Sequence, residues 1–217
     1  MVKQYAVIGL GRFGISLAES LYEAGQEVLG VDISEERVQE AQTAVTHAVI
    51  ADSTDPEALK SIGIRNFDTV IVAIGNDIQA SILTVLLLKE AGVKKVIAKA
   101  INKLQGQVLN KVGADWVIFP ERDMGERVAH MLLSPNVLNF IELSKEYSVE
   151  EIKVPSSMTN QSLRELDLRA RYNLSVIAIR HGRNINISPS PDETIDEGDV
   201  LVVIGGNRDL ERFANLQ

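Results

Sequence analysis

The 217-residue chain is 45% hydrophobic, enough to bury a core of one and a half to two domains. No apolar run reaches the ~18 residues a spanning helix needs, and no signal-like segment precedes Tyr5, so the sequence reads as cytosolic rather than membrane-embedded or secreted. The absence of cysteine excludes disulfides, thiolate metal sites and cysteine catalysis, while a net charge of −8 and 5% aromatic content argue against nucleic-acid binding.

In chain order, an apolar strand Tyr5–Ile8 opens into Gly9-Leu10-Gly11-Arg12-Phe13-Gly14 and a helical segment, and a second apolar run ends at Asp32. Gly9 suits the tight strand-to-helix turn, Gly11 lets backbone amides approach a pyrophosphate, and Gly14 permits close packing of the helix on the sheet. Phe13, Leu17, Ala18 and Leu21 give that helix one buried face, and Gly25 stops it. Asp32 stands where this motif places a carboxylate that accepts ribose hydroxyls and repels a 2′-phosphate, which disfavours NADP. Strands follow at His47–Ala51, Thr69–Ile74, Lys95–Ala100 and Trp116–Phe119, alternating with helices that end at Gly63, Gly92 and Gly113. Six strands complete a Rossmann-like, doubly wound parallel α/β sheet. Asp55-Pro56 is read as an N-cap with proline at the first helical position, and Asp123 as the cap of a helix running to Leu133.

Ser134-Pro135-Asn136 breaks the pattern. Beyond it come an apolar piece at Val137–Leu143, a strand at Tyr147–Val154 and a polar loop through Pro155 and Thr159. Then follow a helix Ser162–Arg171, strands near Leu174–Arg180, Ile185–Ser188 and Val200–Ile204, and a terminal helix. This divides the chain into a nucleotide-binding domain over 1–134, a connecting segment over 135–155 and a small α+β lobe over 156–217.

Ligands of such sheets bind beyond the carboxyl ends of the strands, so the residues just after each strand are the candidates. They are Asp52, Ser53 and Thr54; Gly75, Asn76 and Asp77; Ala100; and Pro120-Glu121-Arg122-Asp123. Asp52 and Ser53 can frame an adenine edge. Asn76 and Asp77 suit helix capping more than ligand binding. Arg12 can reach a terminal phosphate or remain a surface arginine. Glu121 near phosphates is unfavourable unless a cation such as Mg2+ bridges them. His47, His130 and His181 form no cluster with a nucleophile, and the second lobe is too small for a dehydrogenase substrate domain.

The motifs V-I-G-L-G-R-F-G, Val31-Asp32, Ala51–Thr54, Ala73–Asp77 and Pro120–Gly125, with the closing Ile195–Gly205, resemble the regulator-of-potassium-conductance (RCK) family over nearly the whole chain. The resemblance is strongest to cytosolic regulatory subunits of bacterial Ktr/Trk potassium uptake. It implies a homodimer built through a crossover helix at 123–133 and an octameric gating ring beneath a membrane-embedded potassium channel subunit of the KtrB/KtrD/TrkH type. It also implies a nucleotide, ATP/ADP or NAD/NADH, that acts as a signal. By motif position, Arg12 meets the γ-phosphate, Asp32 the ribose, Asp52 and Ser53 the adenine side, and Glu121 an activating metal cation. Gly9, Gly11, Phe13, Gly14, Ala73, Ile74, Gly75 and Asn76 complete the cofactor site. The family further implies cyclic di-AMP in the C-terminal lobe, with Arg169, Asn173, Ile177, Ala178 and Pro189 as candidates. The competing reading is an NAD-dependent oxidoreductase or an NADH-sensing redox regulator.

Overall fold

Short runs of β-branched residues separated by amphipathic stretches form alternating strands and helices in the first half of the chain. The structure, a computed structural model, describes residues 2–134 and 136–216, so Pro135 of the expected break lies outside the described residues. The elements are β1 (Gln4–Ile8), α1 (Arg12–Glu23), β2 (Glu27–Asp32), α2 (Glu35–Ala41), β3 (His47–Ile50), α3 (Pro56–Ser61), β4 (Thr69–Val72), α4 (Ile78–Glu90), β5 (Val96–Lys99), α5 (Lys103–Lys111), β6 (Trp116–Ile118) and α6 (Pro120–Leu133). The six strands are all parallel in the order β3-β2-β1-β4-β5-β6, as the sequence implies, and the order reverses between β1 and β4. Helices cover both faces. Ala6 and Ile8 of β1 join one apolar cluster with Leu59, Val85, Leu88 and Leu109, while Val7 between them joins the other with Ala18, Val38 and Ala41.

The chain divides into two compact units after Met124, within α6. The second unit contains β7 (Val137–Glu142), β8 (Tyr147–Lys153), β9 (Gln161–Ser162), α7 (Leu163–Leu166), α8 (Leu168–Tyr172), β10 (Ser175–His181), β11 (Asn184–Ile187), β12 (Thr194–Ile195), β13 (Val200–Gly206) and α9 (Asn207–Ala214). Its main sheet is antiparallel, β11-β10-β13-β8-β7, and β9 pairs with β12. Leu174, Ile179, Leu201, Leu210 and Phe213 centre its core.

Three local readings change. The apolar piece expected at Val137–Leu143 is itself a strand, β7, paired with the strand expected at Tyr147–Val154, which is β8: β8 hydrogen-bonds to both β13 and β7 and buries Ser148, Glu150 and Ile152. The helix expected over Ser162–Arg171 is two short helices. Asp167 turns left-handed between them (φ 39°), with its carboxylate capping the second at the Ala170 amide. Asp123 is not an N-cap, because α6 already begins at Pro120, whose fixed φ suits the first helical position, and the Asp123 amide donates to the Phe119 carbonyl. Asp55 and Asp77 do cap α3 and α4, accepting from Glu57 and Ala80 amides at 2.9 Å. Among the described residues no helix is long and apolar enough to cross a membrane.

Candidate functional site

The order reversal between β1 and β4 opens a crevice at the carboxyl ends of the strands, and the glycine loop is its floor. Gly9 has φ +95°, and a Cβ there would stand 3.0 Å from the Ile74 amide nitrogen. At Gly14 a Cβ would lie 1.9 Å from the Gly9 carbonyl oxygen, so the start of α1 sits directly on the loop. Gly11 differs: among the described residues nothing lies within 4 Å of a Cβ built on it. It is the N-cap of α1, yet it supplies no side-chain cap, and the first turn holds no acidic residue. The first amides of α1 therefore face an open cradle with the positive end of the helix dipole behind them, an arrangement that fits a phosphate.

Asp32 ends β2, buried, and both its oxygens are engaged. Oδ2 accepts the Leu10 amide at 2.7 Å and lies 3.4 Å from an Arg37 guanidinium nitrogen; Oδ1 accepts the Ser34 amide at 2.9 Å. Asp32, which the motif places at the ribose, thus anchors the glycine loop. Ala73 lies buried beside that loop, its amide donating to the Ile8 carbonyl at 2.7 Å, while Ile74 and Gly75 are half-buried and Asn76 is exposed at the mouth.

On the far wall the Asp52 carboxylate accepts the Thr54 hydroxyl and amide at 2.6 and 2.8 Å. The hydroxyl bond first, then the amide, holds its carboxyl below the ordinary range. Ser53 is buried, its hydroxyl 2.8 Å from that of Thr84 on α4.

Glu121, the second residue of α6, pairs with Lys99, the last residue of β5, at 2.5 Å. That hydrogen bond, with the Lys99 charge and the Arg12 charge behind it, holds the Glu121 carboxyl below its usual value. Lys99 also stands 5.7 Å from the centroid of the Phe13 ring and 3.4 Å from where a Gly75 Cβ would be. Arg12, Phe13, Gly75, Lys99 and Glu121 thus converge at one mouth. Lys99 is the residue that the strand-end reading passes over, since it inspects Ala100 one position later. The available signal is a lysine closing the apolar run Val96-Ile97-Ala98.

The histidines are elsewhere. His47 is at the amino end of β3, and His130 and His181 belong to the second unit, where each faces a carboxylate. Of the second-ligand candidates, Arg169 is on α8, and Asn173 caps its end with its amide donating to Asp209. Ile177 is an exposed residue at a β-bulge of β10, Ala178 beside it is buried, and Pro189 follows the left-handed Ser188.

The TrkA-N domain model matches residues 5–120, and the TrkA-C domain model matches residues 149–217. The chain belongs to the TrkA-N/TrkA-C family. This TrkA-N/TrkA-C chain is 50% identical over 213 residues to the Ktr system potassium uptake protein C of Bacillus subtilis, spanning 98% of this chain and 96% of that one. It is 42% identical over 203 residues to the Ktr system potassium uptake protein A of Vibrio alginolyticus, spanning 94% and 92%. Among solved structures, the GsuK channel bound to NAD superposes with a TM-score of 0.53 at 24% identity, over 97% of this chain and 38% of the channel chain. At that identity the likeness shows a shared fold. The resemblance of the sequence motifs to potassium-conductance regulators is upheld, and the TrkA-N segment contains every candidate of the nucleotide site except Glu121, which follows it directly.

Proposed function

We propose that the protein is a cytosolic, non-catalytic regulatory subunit of a potassium-uptake system, which senses an adenine nucleotide and passes its state to a membrane-embedded potassium channel subunit. The carrying observation is the half-identity to a Ktr protein over 98% of the chain, with the glycine cradle sterically closed at Gly9 and Gly14 and open at Gly11. In this reading Arg12 meets the terminal phosphate, Asp32 the ribose, Asp52 and Ser53 the adenine side, and Glu121 a cation such as Mg2+ that accompanies ATP. The crossover helix joins two copies, and dimers close into an octameric ring. Cyclic di-AMP is the second ligand, held near Arg169, Asn173, Ile177, Ala178 and Pro189.

A nucleotide acts on a channel only through different affinities for two ring shapes, and a tenfold difference supplies about 1.4 kcal/mol per site. The γ-phosphate is the feature that separates ATP from ADP, so a contact from Arg12, within a subunit or from its neighbour, is a direct way to create that difference.

Calorimetric titration of ATP, ADP, NAD and NADH, with and without Mg2+, during light-scattering measurement of mass tests this reading. Tight adenine-nucleotide binding by a stable octamer without turnover is expected. Selective NADH binding by a dimer, or hydride transfer to any added acceptor, overturns it in favour of a redox sensor or enzyme.

A further inference from the structure

Lys99 and Glu121 form an ion pair whose two ends are unequally placed. The Lys99 side chain is 9% exposed and that of Glu121 is 66% exposed. An ammonium so enclosed requires an anion, because burying an unpaired charge is costly, whereas a carboxylate at the rim can return to water at little cost. The ammonium is fixed in the crevice by its surroundings: the Phe13 ring at 5.7 Å, the Gly75 backbone beside it, and β5 beneath. Phe13 is the second residue of α1, the helix whose uncapped amides face the open space at Gly11. Arg12 adds a second positive charge acting on Glu121.

Resting on the nucleotide-site reading above, we propose that Lys99 is a phosphate-charge sensor and Glu121 its displaceable stand-in. In the nucleotide-free protein Glu121 neutralises Lys99, and the arriving diphosphate takes Lys99 and releases Glu121 to solvent or to a cation. The exchange conserves charge pairing around the buried ammonium. It also couples phosphate occupancy to the first turn of α6, since Glu121 is its second residue. A carboxylate that must first be displaced competes with the ligand, so Glu121 lowers nucleotide affinity when no divalent cation is present and ceases to do so when a cation accepts it.

The test is calorimetry of the full-length protein with adenosine, ADP and ATP in EDTA and in Mg2+, using Lys99→Met, Lys99→Gln, Glu121→Gln and the wild type, each checked by thermal melting. Loss of Lys99 is expected to weaken ADP and ATP tenfold or more while leaving adenosine unchanged. Glu121→Gln is expected to tighten ADP severalfold in EDTA, and not in the Lys99→Met background. Equal ADP affinity in wild type and both Lys99 variants overturns the exchange while leaving the nucleotide reading intact, as does a Glu121→Gln variant that binds ADP more weakly in EDTA. Failure of the wild type to bind ADP or ATP overturns the nucleotide reading and the exchange together.

Discussion

The buried Asp32 carboxylate accepts the backbone N–H of Leu10 at 2.7 Å, tying the end of β2 to the glycine loop across 22 residues of sequence. Its other oxygen accepts the Ser34 amide. Two amides therefore lose their partner when the carboxylate is removed, at about 1–3 kcal/mol each for buried groups. Asp32→Ala is expected to lower unfolding free energy by roughly 2–4 kcal/mol with no nucleotide present, measured by urea denaturation. An unchanged midpoint would show that the loop holds its shape without this anchor. The experiment also matters for function, because weakened nucleotide binding in this variant reports the loop as well as any ribose contact.

The glycines of the loop separate in the same way. Gly14→Ala drives a methyl group to 1.9 Å from the Gly9 carbonyl oxygen and is expected to cost about 3 kcal/mol or more, or to prevent folding. Gly11→Ala meets nothing within 4 Å. Its stability should change by about 1 kcal/mol or less, the difference between glycine and alanine as an N-cap. Its affinity for ADP should fall tenfold or more, because the methyl group occupies the space above the α1 amides. Two melting curves and one titration decide this, and a Gly11→Ala variant that binds ADP normally would move the phosphate site off the loop.

Much of this was readable in the residues. Parallel strands buried on both faces appear as apolar runs, and the helices between them end at glycines, so the six-stranded sheet follows from local pattern alone. Proline and aspartate signals located α3 and α4. Pairings between distant residues were not legible. Lys99 and Glu121 are 22 residues apart, and neither has a local feature that announces the other. The split at Asp167 was hidden because an aspartate in a helical pattern gives no sign of whether its side chain caps the next turn or faces water. The strand at Tyr147–Val154 was legible and is β8, whereas β7 read only as an apolar piece because its burial, from buried Val137 to exposed Ile141 and Glu142, does not alternate.

Arg12 is exposed on the first turn of α1, and its charge contributes to the lowered value of Glu121. Arg12→Ala should therefore fold normally, with a melting temperature close to wild type. In the proposed function it keeps ADP affinity within about threefold and loses about tenfold in ATP affinity, the scale of one charge-assisted contact of about 1.4 kcal/mol. Competition titrations of ATP against ADP measure the ratio. An unchanged ATP preference removes Arg12 from the γ-phosphate.

Glu150 is buried on β8, with Oε1 3.1 Å from His130 Nε2 and Oε2 without a hydrogen-bond partner among the described residues. Burial pushes its carboxyl up. The folded protein thus binds this proton more tightly than the unfolded chain, and the penalty for ionising it is present at neutral pH and disappears as pH falls through the raised value. Glu150→Gln keeps the shape and removes the charge, so it is expected to raise stability by about 1 kcal/mol at neutral pH, with the gain vanishing in acid. Urea midpoints at several pH values check this. A variant less stable than wild type at neutral pH would mean that the contact with His130 outweighs the unpaired oxygen.

His181, at the end of β10, holds Glu193 through Nε2 at 3.2 Å and Asp199 through Nδ1 at 2.8 Å, with Asp196 close by. Only the imidazolium donates from both nitrogens, so the two carboxylates favour the charged ring, and the hydrogen bond to Glu193 contributes most to raising its pKa. A group raised in the folded state stabilises fully below its unfolded value of about 6.5, and that contribution is lost as pH rises through the higher folded value. Wild-type stability should therefore decline as pH climbs from about 6.5 into the alkaline range. His181→Gln, which donates through one nitrogen only, should be less stable at about pH 6 and show a flatter profile. The decisive readout is the difference between the two urea midpoints against pH. If it is constant across that range, the ring has the same pKa folded and unfolded, and the two carboxylates do not favour its charged form.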